Sequence, residues 1–235
     1  MTLLHSPRFS SWARGHLLCR VDSVSDRVAL TFDDGPSRGA TPHVLDLLAR
    51  HEAHATFFTL APNVDRLPDV VRRAVDDGHE LALHGDLHWP LPVSTPGLIR
   101  RELERSAAAV ARATGATARH YRPPFGFMAP SQARFVARAG YRSVLGDVYP
   151  EDTYRPGVDT IVRRVMTRLS GGSILILHDG SPFGEADRSQ TVAALAVILE
   201  SLRRSGLRGV SIAELLAAAP EESRETDAIL RGGSS

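Results

Sequence analysis

The 235-residue sequence is 43% hydrophobic and 23% charged, a composition that fills a core without help from disulfides or a structural metal. Its 28 basic and 27 acidic residues leave a formal charge of +1, spread without blocks, which excludes a nucleic-acid stripe or a polybasic membrane anchor. Cys19 stands alone, so no internal disulfide forms, and no run of about 18 apolar residues offers a transmembrane helix.

Residues 1–26 read as an N-terminal extension in which Ser, Arg, Trp and His interrupt any apolar h-region. The chain as written therefore shows no export signal, which points to the cytoplasm. From Arg27 onward apolar runs alternate with helical stretches. Arg27–Phe32 reads as a buried strand, followed by a Gly/Pro turn and a helix near His43–Arg50. Ala55–Leu60 is a second strand, Pro68–Asp77 a helix ended by Gly78, and His79–Leu83 a third strand. A Pro-rich loop through Pro96 leads to a long helix near Leu98–Thr114. Strand-like pieces follow at Arg119–Arg122, Tyr141–Leu145, Ser173–Leu177 and Arg208–Ser211, with helices near Ser131–Ala139, Thr160–Leu169 and Thr191–Ser205.

Such β-then-α units require a parallel sheet, because each return crossover needs a helix. The expected fold is α/β: a closed or nearly closed barrel first, an open doubly wound sheet second. One domain spans residues 27–219, and residues 220–235 form a polar tail.

Ionisable residues gather after the predicted strands: Asp33-Asp34-Gly35-Pro36 after the first, His84 to His88 after the third, Arg122 after the fourth, Asp147 to Asp152 after the fifth, and His178-Asp179 after the sixth. In parallel α/β folds these strand ends share one face, where active sites form. Adjacent Asp33 and Asp34 point in different directions, so one can bind a metal while the other abstracts a proton. DDGP alone is equally a turn or helix cap. His84 and His88, four apart, bring both imidazoles to one side on a turn or helix. With an Asp they make a three-ligand site with room for water and substrate, although HxxxH alone is a weak signal. His178 and Arg122, taken singly, are as readily packing residues.

Taken in order, these segments resemble the NodB-homology polysaccharide deacetylases, carbohydrate esterase family 4, over roughly Arg27 to Leu216. TFDDGPS (Thr31–Ser37), GHELALHGDLHWP (Gly78–Pro90), RPPFG (Arg122–Gly126) and LILH (Leu175–His178) carry the resemblance. It implies a distorted (β/α)7-type barrel with parallel strands that removes N- or O-acetyl groups from sugars or glycans. By the same resemblance Asp34, His84 and His88 bind a divalent metal, Zn2+ first and Co2+, Mn2+ or Ni2+ as alternatives. Asp33 is the general base, Arg122 orients it, and His178 is the general acid, itself oriented by Asp152. The Phe125 backbone N–H stabilises the oxyanion, and Leu175 and Leu177 line the acetyl methyl.

The resemblance instead implies secretion or the cell surface, the family's habit. Two positions depart from the pattern. Gly85 replaces a usual Ser or Thr, so Gly85→Ser is expected to leave activity unchanged or raise it. The fourth motif is altered to Tyr149-Pro150-Glu151-Asp152-Thr153. Other readings are a deacylase or deformylase of a small or lipid-linked metabolite, and an inactive carbohydrate-binding homologue. A two-metal phosphoesterase would want more His and Asp than these strand ends supply.

Overall fold

The computed structural model of the protein describes residues 17–221. Its strands are β1 (Arg27–Asp33), β2 (Thr56–Thr59), β3 (Glu80–Leu83), β4 (His120–Tyr121), β5 (Arg142–Ser143), β6 (Ile174–His178) and β7 (Arg208–Val210). The helices are α1 (Thr41–Arg50), α2 (Ala61–Arg66), α3 (Pro68–Asp76), α4 (Pro96–Thr114), α5 (Pro130–Arg138), α6 (Val158–Met166), α7 (Ser189–Arg204) and α8 (Ile212–Ala217). Local chemistry sets several ends. Thr95 accepts from Leu98 N at 3.3 Å to start α4, and left-handed Gly115 stops it. Ser211 and Glu214 form a reciprocal capping box on α8.

The strands run parallel in the order β5-β4-β3-β2-β1-β6, with β7 beside the start of β1. The sheet curls into a half-barrel, and a parallel bridge between Val148 and Leu175 draws the segment after β5 toward β6. Leu17, Leu18, Val21 and Val24, assigned from sequence to the N-terminal extension, are buried against this body, and Leu18 bridges Val144. The rest of that extension and the tail beyond Glu221 lie outside the described residues.

The two-residue period of β1 separates two environments. Val28, Leu30 and Phe32 join the large cluster with the helices, where Phe32 stacks on Phe57 at 5.3 Å. Ala29 joins a second cluster with Phe58, Ala82, Val144 and Ile174 inside the curl. Thr31 and Asp33 continue that inner face, and Asp33 stands at its C-terminal rim.

At the opposite end of the barrel, buried His79 accepts from Ala55 N at 3.3 Å, and its Nε2 has no partner. Burial, reinforced by the neighbouring His54, pushes its pKa down from 6.5 to about 4. The unfolded chain therefore takes up a proton that the fold refuses. This contribution to stability is intact above pH 6.5 and is lost as pH falls toward 4, in total about 3 kcal/mol. His79→Asn, which keeps an acceptor, is expected to show a smaller drop in Tm between neutral pH and pH 4.5 than the wild type, measured by thermal unfolding.

Candidate active site

The β1 rim turns sharply at Asp34, whose φ is +69°, in the left-handed region that non-glycine residues seldom adopt. His88 (φ +54°) and Phe125 (φ +61°) share that conformation. Such strain gathers where the surrounding structure enforces it for function. The turn is fixed from β6. The Ser37 hydroxyl donates to the Asp179 carbonyl at 2.6 Å, and Thr41 Oγ1 donates to Asp179 Oδ2 at 2.5 Å. Asp179 packs so closely that a Cβ on Gly35 would lie 2.3 Å from its carboxylate, so only glycine fits there. Burial, together with the nearby Asp34 and Asp33 charges, raises the Asp179 carboxyl to about 7, against the Thr41 hydrogen bond.

That turn presents Asp34 Oδ1, buried and without a hydrogen-bond partner, 3.5 Å from His84 Nε2 and 3.4 Å from His88 Nε2. One ligand atom from each of the three residues lies within 4.8 Å of the others. His84 Nδ1 donates to the Arg122 carbonyl at 2.8 Å, which leaves its Nε2 lone pair facing Asp34. Burial and the neighbouring His84 lower the His88 pKa to about 4, so its imidazole is neutral, the form that ligates a metal. A buried, unpartnered carboxylate oxygen facing two imidazole nitrogens fits a divalent cation. Asp34, His84 and His88 would hold it, as read from the sequence.

Asp33, next along the chain, points inward to Arg122. Nη1 of Arg122 donates to Asp33 Oδ1 at 2.5 Å and to Thr31 Oγ1 at 2.8 Å, while the guanidinium lies 4.0 Å over the Phe58 ring. Burial pushes the Asp33 pKa up, but Arg122, His84 and His178 outweigh it and hold the carboxyl below its ordinary range. Asp33 is thus ionised and ready to accept a proton.

His178 is the register partner of Asp33 on β6. Its Nδ1 meets Asp152 Oδ1 at 2.9 Å, and its backbone N–H donates to Asp152 Oδ2 at 2.9 Å. Thr191 Oγ1 donates to the same carboxylate at 2.9 Å. Burial lowers the His178 pKa, but Asp152, Asp33 and Asp34 overcome this and raise it above its ordinary value. Asp152 therefore orients a histidine suited to donate a proton.

The Phe125 ring packs edge-on against His88 at 4.6 Å, which sets this residue beside the cluster of Asp34, His84 and His88. Leu175 and Leu177 are corrected. Both are fully buried in the cluster beneath the helices, with Leu30 and Phe32. The strand's period of two turns them away from His178, and Ile176, beside Thr31 in the ladder, takes the inner face. Asp147 serves structure, accepting from Ile174 N at 2.7 Å and pairing with Arg20 at 2.9 Å.

The profile of the polysaccharide deacetylase family matches residues 20–144. The chain belongs to the polysaccharide deacetylase family. This deacetylase is 40% identical over 187 residues to a chitooligosaccharide deacetylase of Bradyrhizobium sp., covering 76% of this chain and 85% of the relative. It is 36% identical over 204 residues to a peptidoglycan-N-acetylglucosamine deacetylase of Bacillus cereus, covering 86% and 93%. A crystal structure of a peptidoglycan N-acetylglucosamine deacetylase superposes with a TM-score of 0.82 at 27% identity, over 87% of this chain and 95% of that one. A Bacillus anthracis pseudoenzyme of the same family shares the fold at 24% identity and a TM-score of 0.77, over 85% of this chain and 68% of that one. Fold alone therefore does not make a deacetylase, and the residues at the strand ends decide.

Gly85 behaves otherwise than its sequence context implies. Its φ is +104°, and a Cβ there would lie 3.1 Å from the Glu102 carboxylate. Serine would be strained in this deacetylase, so Gly85→Ser is expected to weaken metal binding about tenfold and to lower stability by about 1–3 kcal/mol. Zinc competition and thermal unfolding would measure both.

Proposed function

We propose that the protein removes the acetyl group from N-acetylated sugar units of a glycan, with zinc as the resident metal. The observation that carries the chemistry is the convergence of Asp34, His84 and His88 beside an ionised Asp33 and a carboxylate-oriented His178. Held by Asp34, His84 and His88, a divalent cation would supply Lewis-acid polarisation of the acetyl oxygen and a lowered pKa for water.

Asp33, held by Arg122, takes a proton from the attacking water at its free carboxylate oxygen. Oriented by Asp152, the His178 imidazolium gives a proton to the departing amine nitrogen, which otherwise leaves poorly. The Phe125 backbone N–H, carried over from the resemblance, would donate to the developing oxyanion.

A sugar polymer as substrate is supported by where this chain exposes apolar surface. Among the described residues, nine large hydrophobic side chains are exposed, and all except Val197 lie on loops that leave the C-terminal strand ends. Trp89, Phe125, Phe127, Tyr149, Tyr154 and Phe183 are aromatic, and aromatic faces stack on sugar rings. Tyr149 lies 5.8 Å from the His178 ring, and its hydroxyl meets Thr153 Oγ1 at 3.0 Å. It thus supplies an aromatic wall beside His178.

Mass spectrometry of chitin and peptidoglycan oligomers and acetylated monosaccharides, incubated with zinc-loaded protein, tests this reading. Loss of 42 Da per acetyl group from the oligomers (the mass lost when acetamide becomes amine) is expected, about tenfold faster than from monosaccharides. Deacylation confined to small metabolites would sink it.

A further inference from the structure

We infer that Glu102 is a positioning residue for the metal ligands His84 and His88, acting through the backbone of the loop between them; the inference rests on the metal centre described above. Glu102 projects from the middle of α4 and is buried, although its neighbours on the same stripe, Ile99, Leu103 and Ser106, form a packing face. A buried carboxylate on such a face is costly unless charge-assisted hydrogen bonds compensate it. Its Oε2 accepts from Asp86 N at 2.7 Å and from Leu87 N at 3.0 Å. Both donors lie within the five-residue span from His84 to His88.

One turn further along α4, Arg105 Nε meets Asp86 Oδ2 at 3.0 Å. The helix therefore grips the ligand loop twice, once by its backbone and once by a side chain. Gly85 completes the arrangement. Its positive φ aims the following N–H groups at Glu102, and its lack of a Cβ leaves room for the carboxylate. Where relatives of the resemblance place a hydroxyl inside the loop, this chain has an acceptor reaching in from a helix.

A loop held only by its two histidines would lose ligand geometry when the carboxylate goes, because the buried Asp86 N–H and the part-buried Leu87 N–H would seek new partners. A filler of the core, by contrast, would change stability and leave the metal alone. The two are separated by measuring zinc Kd by chelator competition, the visible spectrum of the cobalt-substituted protein, and the Tm of the metal-free protein. The variants are Glu102→Ala, Glu102→Gln and, as a control on the exposed grip, Arg105→Ala.

Glu102→Ala is expected to raise the zinc Kd by about 10–100-fold and to alter the cobalt spectrum. Glu102→Gln, which keeps an acceptor oxygen but not the charge, should recover most of this, with Kd raised about 3–10-fold. Arg105→Ala should change Kd less than Glu102→Ala does. A lower Tm for Glu102→Ala with wild-type zinc Kd and cobalt spectrum would overturn the inference. Should Glu102→Ala fail to fold, Glu102→Gln decides: an unchanged zinc Kd overturns the inference, and a rise of about threefold or more sustains it. Wild-type protein that binds no zinc would instead overturn the metal-centre reading itself.

Discussion

Asp33→Asn is expected to bind metal at wild-type stoichiometry while turnover falls by about 10²–10⁴-fold, the range for a positioned general base. The substitution keeps an oxygen that can accept from Arg122 Nη1, and the amide cannot take the proton of water at neutral pH. Asp34 Oδ1, not Asp33, faces the two imidazoles, so the metal should stay. Stability should nonetheless fall. Nε and Nη2 of buried Arg122 have no hydrogen-bond partners, so its charge depends on Asp33 and the Phe58 ring. Neutralising Asp33 leaves that charge uncompensated, a loss of up to about 3–5 kcal/mol when a buried pair is broken. Metal analysis, steady-state kinetics and thermal unfolding of one preparation would read all three effects. Metal loss in Asp33→Asn, with retention in Asp34→Asn, would exchange the two roles.

Removal of any metal ligand should abolish the stabilisation that metal provides. At a free zinc concentration about 1,000 times Kd, wild-type protein gains about 4 kcal/mol, equivalent to a rise of about 8–16 °C in Tm for a domain of this size. Asp34→Ala, His84→Ala and His88→Ala should show almost none of this shift and no turnover. Their metal-free forms need not be equally affected. His84 bonds the Arg122 carbonyl and its loss should destabilise the metal-free fold, whereas Asp34 Oδ1 has no partner there. A normal zinc-dependent rise in Tm in all three variants would place the metal elsewhere.

Much of this was legible in the sequence because strand ends in parallel folds carry function. The seven predicted strands and six predicted helices fall within a few residues of β1 to β7 and of α1 and α3 to α7. β4 and β5 are shorter than the strand-like pieces expected at Arg119–Arg122 and Tyr141–Leu145, two residues each. The six-residue α2 and α8 escaped the pattern because neither is long enough to show a helical period. For α8 a signal was present in the Ser211–Glu214 capping box. Asp33, Asp34, His84, His88, Arg122, His178 and Asp152 stand where motif order puts them.

The misses have physical causes. Leu175 and Leu177 come with the LILH motif of the resemblance, while strand alternation, readable from His178 backwards, selects Ile176. Gly85 looked like a lost hydroxyl because φ cannot be read from a residue name. Glu102 announced itself only as a charge on an apolar helical stripe, and Asp179 only as the neighbour of His178. Neither signal tells which loop the carboxylate meets.

The central claim, a metal-dependent deacetylase centred on Asp34, His84 and His88, is tested most directly by acetate release from an N-acetylglucosamine oligomer before chelation, after it, and after zinc is restored. The account predicts that chelation abolishes release and that a single equivalent of zinc per chain restores it. Acetate release indifferent to chelation, or no release from a fully zinc-loaded protein, would contradict it.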